Sequence, residues 1–165
     1  MADLKENFFQ AIKYPGATAK LATTYFTIWS LALLFLYSLL IFVGLDLSKY
    51  INFVLLATGV SLASLFIVYV YPKYIRFTIK DKKFELKGLD LTIIDIIMHQ
   101  IPCLIVLSLY LFRHQFTITK FNTLVSLIII AIYLVFNNIE ERYGVTVQET
   151  AFITTLVTIC NLSLY

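Results

Sequence analysis

The sequence predicts an all-α transmembrane protein: a four-helix membrane bundle with a short cytosolic-side β-hairpin between spans two and three. Three observations predict this. Hydrophobic residues make up 60% of the 165-residue chain and charged residues only 14%, whereas soluble domains run near 45–50% and 25%. Four apolar runs are long enough to cross a bilayer, which takes roughly 20 residues each. Between the second and third runs the apolar spacing changes to alternation, the period of a strand. With a mean hydropathy of +0.86, residues 1–165 read as one integral membrane domain with no room for a soluble one.

The elements follow in order. Residues 1–20 carry Asp3 and Glu6 among their polar residues, which is unlike a cleavable signal or transit peptide. Phe8, Phe9 and Ile12 with Lys5 and Lys13 suit a short interfacial helix, broken at Pro15-Gly16. The first span is 21–45, with Tyr25 and Trp29 as interface anchors. A tight connection at 46–49 makes the second span, 50–71, its antiparallel neighbour. Ala57, Gly59, Ser61 and Ala63 form small-xxx-small pairs, an expected helix-packing face.

Pro72 ends that span, and 73–87 reads as the hairpin. Ile75, Phe77 and Ile79 alternate with Arg76, Thr78 and Lys80, and Phe84 and Leu86 alternate beyond a polar turn. A lone hairpin is marginal in water, so it is expected to rest on the membrane, the bundle or a partner. Asp90 suits an N-cap for the third span, 91–112. The fourth span is 121–138. The tail, 145–165, is expected to be a docked or re-entrant helix, with a fifth span left open.

Basic residues set the orientation. The N-terminal segment, the hairpin and the tail hold Lys5, Lys13, Lys20, Lys73, Arg76, Lys80, Lys82, Lys83, Lys87 and Arg142, against Lys49, Arg113 and Lys120 on the other side. The positive-inside rule then places the N-terminus on the cytoplasmic side. Lys73, Arg76, Lys80, Lys82, Lys83 and Lys87 form the expected surface for anionic lipid or an acidic protein partner. Nothing resembles a nucleic-acid reader, and an oligomer stays open.

The third span carries the chemistry-bearing residues. Asp95 and His99 are four apart and share a helix face. Ionisable groups inside a span have partners or functions. Pro102 removes the hydrogen bond to the Met98 carbonyl and is expected to kink the helix. If spans three and four are neighbours, Asp95 and His99 meet Asn137, Asn138 and Glu141 in one polar cluster. That cluster reads as a structural lock, as a His99 base oriented by Asp95, or as a proton path. A metal is not expected: His114 lies roughly 20 Å along the chain's helix from His99 at 1.5 Å per residue, and HExxH and CxxC patterns are absent. Cys103 and Cys160 read as small apolar fillers. No cofactor motif is present.

The run His99-Gln-Ile-Pro102 resembles the HxxP-type helix of the androgen-induced-gene family of multi-pass membrane hydrolases. That resemblance covers one helix. It implies hydrolysis by a threonine nucleophile with a histidine, and does not say which threonine. The order Tyr71-Pro72, basic hairpin, Gly88, Asp95, His99, Pro102 resembles small multi-pass membrane proteins of large DNA viruses. This second resemblance implies a virion-membrane or capsid-associated role. The leading expectation is therefore a structural or assembly protein presenting its basic hairpin, not an enzyme. The alternatives are an intramembrane hydrolase or transferase using His99 and Asp95, and a proton or ion transport subunit. The enzyme reading requires a cavity at His99 and a nucleophile within about 3 Å of it. The scaffold reading requires His99 to be sealed.

Overall fold

The computed structural model of the chain describes Phe9 and residues 12–70, 75–79, 82–86, 88–137 and 145–164. Six helices dominate them, and the fold class is all-α. They are α1 Pro15–Ala22, α2 Phe26–Ile41, α3 Phe53–Val70, α4 Gly88–Arg113, α5 Lys120–Phe136 and α6 Val147–Leu162.

Local chemistry sets most boundaries. Pro15 opens α1, where its missing N–H is not needed. α1 and α2 meet at a 92° bend through residues 23–25. α2 ends in a Schellman motif: Leu45 N–H reaches the Leu40 carbonyl and Gly44 N–H the Ile41 carbonyl. Gly44 supplies the left-handed φ of +77° that this motif needs. The Asn52 side chain caps α3 by accepting from Leu55 N–H at 2.9 Å. Thr119 with Asn122, and Thr146 with Glu149, form capping boxes at the starts of α5 and α6. Ile75–Ile79 pairs antiparallel with Lys82–Leu86, Phe77 opposite Phe84, as a two-stranded link between α3 and α4.

The four-span bundle is corrected. Among the described residues two helices, Phe53–Val70 and Gly88–Arg113, are long and apolar enough to cross a membrane, and there is a third span if the bent pair α1–α2 counts as one. The expected first span, 21–45, is divided by the bend, leaving 16 residues in α2. The expected fourth span, 121–138, yields 17 residues in α5. At 1.5 Å per residue these helices reach only about 24–26 Å, short of a hydrocarbon core of about 30 Å. Hydropathy counted apolar residues without seeing where the helices stop. The tail forms α6, which lies against α3 through a cluster of Leu55, Ile153 and Val157.

α3 is the centre of the fold. Phe53, Val54, Leu55, Leu56 and Ala57 are consecutive and all buried, so neighbours surround this end of the helix. Tyr37, Phe53 and Phe116 stack there with centroids 5.0–5.6 Å apart, in the tilted geometry that aromatic quadrupoles favour. Cys103 and Val106 from α4 complete that cluster. The outer surface is apolar too: Phe35, Leu104, Phe112, Leu124, Val135 and Phe136 are all exposed. Large exposed apolar area needs a partner or a lipid solvent.

A buried polar network ties α3 to α5 at this same end. Asn52 N–H donates to Ser126 Oγ at 2.8 Å and its amide to Thr123 Oγ1 at 3.0 Å. The Asn122 amide donates to the Ser48 and Thr117 carbonyls at 2.8 and 2.7 Å.

Candidate active site

His99 and Asp95 face the interior from α4. His99 Nδ1 lies 2.9 Å from Asp95 Oδ1. Asp95 is 1% exposed and the His99 side chain 17%, so the imidazole alone reaches open space. His99 Nε2 lies 2.9 Å from the Thr27 hydroxyl, contributed by the first turn of α2. In the neutral tautomer with the proton on Nδ1, the ring donates to the Asp95 carboxylate and Nε2 accepts from Thr27.

Two local features build this arrangement. The first is a π turn at Ile96–Gln100, closed by Ile101 N–H on the Ile96 carbonyl, five residues back. Pro102 follows directly and has no N–H to offer Met98, so the kink expected at Pro102 takes the form of this wider turn. A five-residue repeat brings Gln100 beside Asp95 together with His99. Gln100 Nε2 lies 3.3 Å from Asp95 Oδ2. Its carbonyl accepts from Ser61 Oγ at 2.6 Å, and its amide donates to Ser64 Oγ at 3.0 Å. Both carboxylate oxygens are thereby held, and Gln100 ties the pair to α3.

The second feature frees Thr27. Helical threonines usually turn the hydroxyl back onto the i−4 carbonyl. Thr58, Thr154 and Thr158 do this here. For Thr27 the residue four back is Thr23, which lies outside α2 across the bend, and its carbonyl takes the Trp29 indole N–H at 2.6 Å. The Thr27 hydroxyl bonds His99. Tyr133 of α5 fixes the start of α2: its hydroxyl donates to the Thr24 carbonyl at 2.9 Å, and its ring packs on Phe26 and Trp29.

The three residues lie at a cavity of about 170 Å³. Asp95, His99 and Thr27 line it together with Phe26, Gly59, Val60, Ala63, Ile67, Leu127, Ile130, Tyr133, Leu134, Ile153 and Val157. Every helix from α2 to α6 contributes. Thr150, Thr154 and Thr158 line one wall, but all three point their hydroxyls at the carbonyl four residues back.

The other expected residues fall as follows. Asn137 donates its amide to the Tyr133 carbonyl of its own helix at 3.0 Å. Asn138 and Glu141 lie outside the described residues, as do Lys73, Lys80 and Lys87. Arg76, Lys82 and Lys83 stand in the ladder opposite Glu85, Ile79 and Thr78. Ala57 packs in the aromatic cluster, and Ser61 holds Gln100. Gly59 and Ala63 line the cavity, where a Cβ on Gly59 would meet Val157 at 3.5 Å. Among the described residues no group of three metal-ligating side chains is present.

Thr27, Gln100, Ser64 and Tyr133 belong to this site although no sequence pattern marked them. Thr27 stands 72 positions before His99, and Gln100 reaches Asp95 only through the π turn. No family model, no curated protein and no solved structure matches this chain.

Gln100→Leu is expected to lower stability by about 1–3 kcal/mol, because the Ser61 hydroxyl and Asp95 Oδ2 lose a partner away from water. Chemical denaturation in detergent would measure it.

Proposed function

We propose that this protein is a multi-pass membrane hydrolase that cleaves acyl esters through a covalent acyl–Thr27 intermediate. The observation that carries this reading is the hydrogen-bonded chain Thr27–His99–Asp95 at an apolar cavity. Nucleophile, base and orienting carboxylate at hydrogen-bond distance are the signature of covalent acyl transfer.

The steps follow from the atoms present. The Thr27 Oγ1 proton passes to His99 Nε2 as Oγ1 bonds to the ester carbonyl carbon. Asp95 stabilises the imidazolium through Nδ1–H. The backbone N–H groups of Phe26 and Thr27 open α2, which has no side-chain cap. Helix geometry gives those first N–H groups no acceptor of their own. They and the positive end of the helix favour the oxyanion. The tetrahedral centre collapses, the C–O bond to the alcohol breaks, and the alkoxide takes the proton from Nε2. A water then repeats the sequence on acyl–Thr27, with His99 as base, releasing the carboxylic acid and restoring the hydroxyl.

Thr27 also supplies the residue type implied by the resemblance of the His99-Gln-Ile-Pro102 helix to membrane hydrolases. The scaffold reading expects a sealed His99, and the open space beside it favours chemistry instead. Lys13 and Lys20 before α2 favour a cytoplasmic N-terminal side.

A fluorophosphonate probe tests the proposal on full-length protein in lipid nanodiscs. The expected result is a covalent adduct on the peptide that contains Thr27. His99→Gln should slow its formation by roughly 10²–10⁴-fold, the range for loss of a general base. No adduct, or an adduct on another residue at equal rate, would sink the reading.

A further inference from the structure

We infer that the acyl group accepted here is a short, linear hydrocarbon chain of about six to eight carbons, since an apolar cavity of about 150 Å³ holds one six-carbon ring. The inference rests on the proposed hydrolase reading and names the substrate class for the same site.

Size, shape and polarity support it together. The cavity measures about 170 Å³, slightly more than that reference. Its walls run from Gly59 to Val68 on α3 and from Thr150 to Thr158 on α6. At 1.5 Å per residue each wall is about 12–14 Å long. A small volume between long walls is a slot, which suits an unbranched chain rather than fused rings. Among the described residues the lining holds no cation: His99 and Asp95 are the ionisable groups there besides the Tyr133 phenol, and Tyr133 is tied to the Thr24 carbonyl. None of these described side chains would hold a charged group at the far end of the chain. Burying a charge without a partner is costly, so an uncharged hydrocarbon fits and a dicarboxylate or phosphorylated chain does not.

Ala63 is positioned to set the limit. It lines the slot beside Ser64, which holds Gln100 and through it Asp95. Ala63→Leu adds three carbons to the wall. Leu134→Phe narrows the slot from α5 and serves if the first variant fails to fold.

The experiment is hydrolysis of p-nitrophenyl esters from two to sixteen carbons by the full-length protein in nanodiscs. The expected result is a maximum of kcat/KM at six to eight carbons and a value at least about tenfold lower at sixteen, in line with the tenfold or greater discrimination that one misfitting methylene gives. Ala63→Leu or Leu134→Phe should move the maximum to shorter chains. A profile that is flat or rises to sixteen carbons overturns the inference, and so does an unchanged maximum in both variants. In those cases hydrolysis itself still stands. Absence of turnover on every ester, with no fluorophosphonate adduct on Thr27, overturns the hydrolase reading and the inference together.

Discussion

Thr27→Ala should abolish ester hydrolysis, lowering kcat by roughly 10³–10⁶-fold as loss of a nucleophile does elsewhere, while Thr27→Ser should keep measurable turnover. The pair of variants separates chemistry from architecture. Thr27 lies in the first turn of α2, where its hydroxyl bonds His99 Nε2 at 2.9 Å. Removing it costs about 1 kcal/mol of net hydrogen bonding, too little to unfold the protein. Serine keeps the oxygen and loses only the methyl. If Thr27 merely satisfied a buried histidine, alanine would shift stability slightly and leave turnover untouched. Hydrolysis rates and denaturation midpoints measured on the same preparations distinguish the two outcomes, and equal turnover in all three proteins would refute a nucleophilic role.

Thr27 is poised because three separate elements agree on its position. The 92° bend between α1 and α2 places a fresh helix start inside the fold. The Trp29 indole bonds the Thr23 carbonyl across that bend. Tyr133 of α5 anchors Thr24, two residues before α2. On the opposite side the π turn makes His99 and Gln100 both face Asp95. A regular helix would place residues 95 and 100 about 140° apart, at 3.6 residues per turn. The distortion therefore converts a two-residue pair into a braced one.

This explains what the sequence could and could not convey. The pairing of Asp95 with His99 was legible because it is local: a spacing of four is one helical turn. The membrane character was legible because it sums over many residues. The number of spans was not, because a turn at 23–25 divides an apolar run without any glycine or proline to mark it. The expected meeting of Asp95 and His99 with Asn137 rested on two helices crossing at a particular depth. The partner that His99 has on its other nitrogen, Thr27, comes from α2. A threonine is unremarkable in an apolar helix, and only the tertiary fold distinguishes it from the others. Gln100 was hidden more deeply, since helical periodicity points it away from Asp95 and only the π turn brings it back.

Asn122→Ala is expected to destabilise the protein by about 3 kcal/mol, and Asn122→Asp by more. Asn122 is fully buried. Its amide donates to the Ser48 and Thr117 carbonyls, and its carbonyl accepts from Thr119 N–H at 2.8 Å. Alanine strands these three backbone groups, each costing about 1–3 kcal/mol when unsatisfied and dry, with partial relaxation reducing the sum. Aspartate has nearly the same shape but cannot donate. It sets a carboxylate against two carbonyl oxygens, so a conservative replacement by volume becomes the worse one by chemistry. The network lies at the Asn52 end of α3, 9–12 residues from Ser61 and Ser64, or about 14–18 Å along the helix. Each folded Asn122→Ala molecule should therefore hydrolyse ester at the wild-type rate while the denaturation midpoint falls. A midpoint unchanged within 0.5 kcal/mol, the ordinary range for a surface substitution, would mean that this polar network does not hold α3 and α5 together. The small residues of α3 would then have to fix the slot by packing alone.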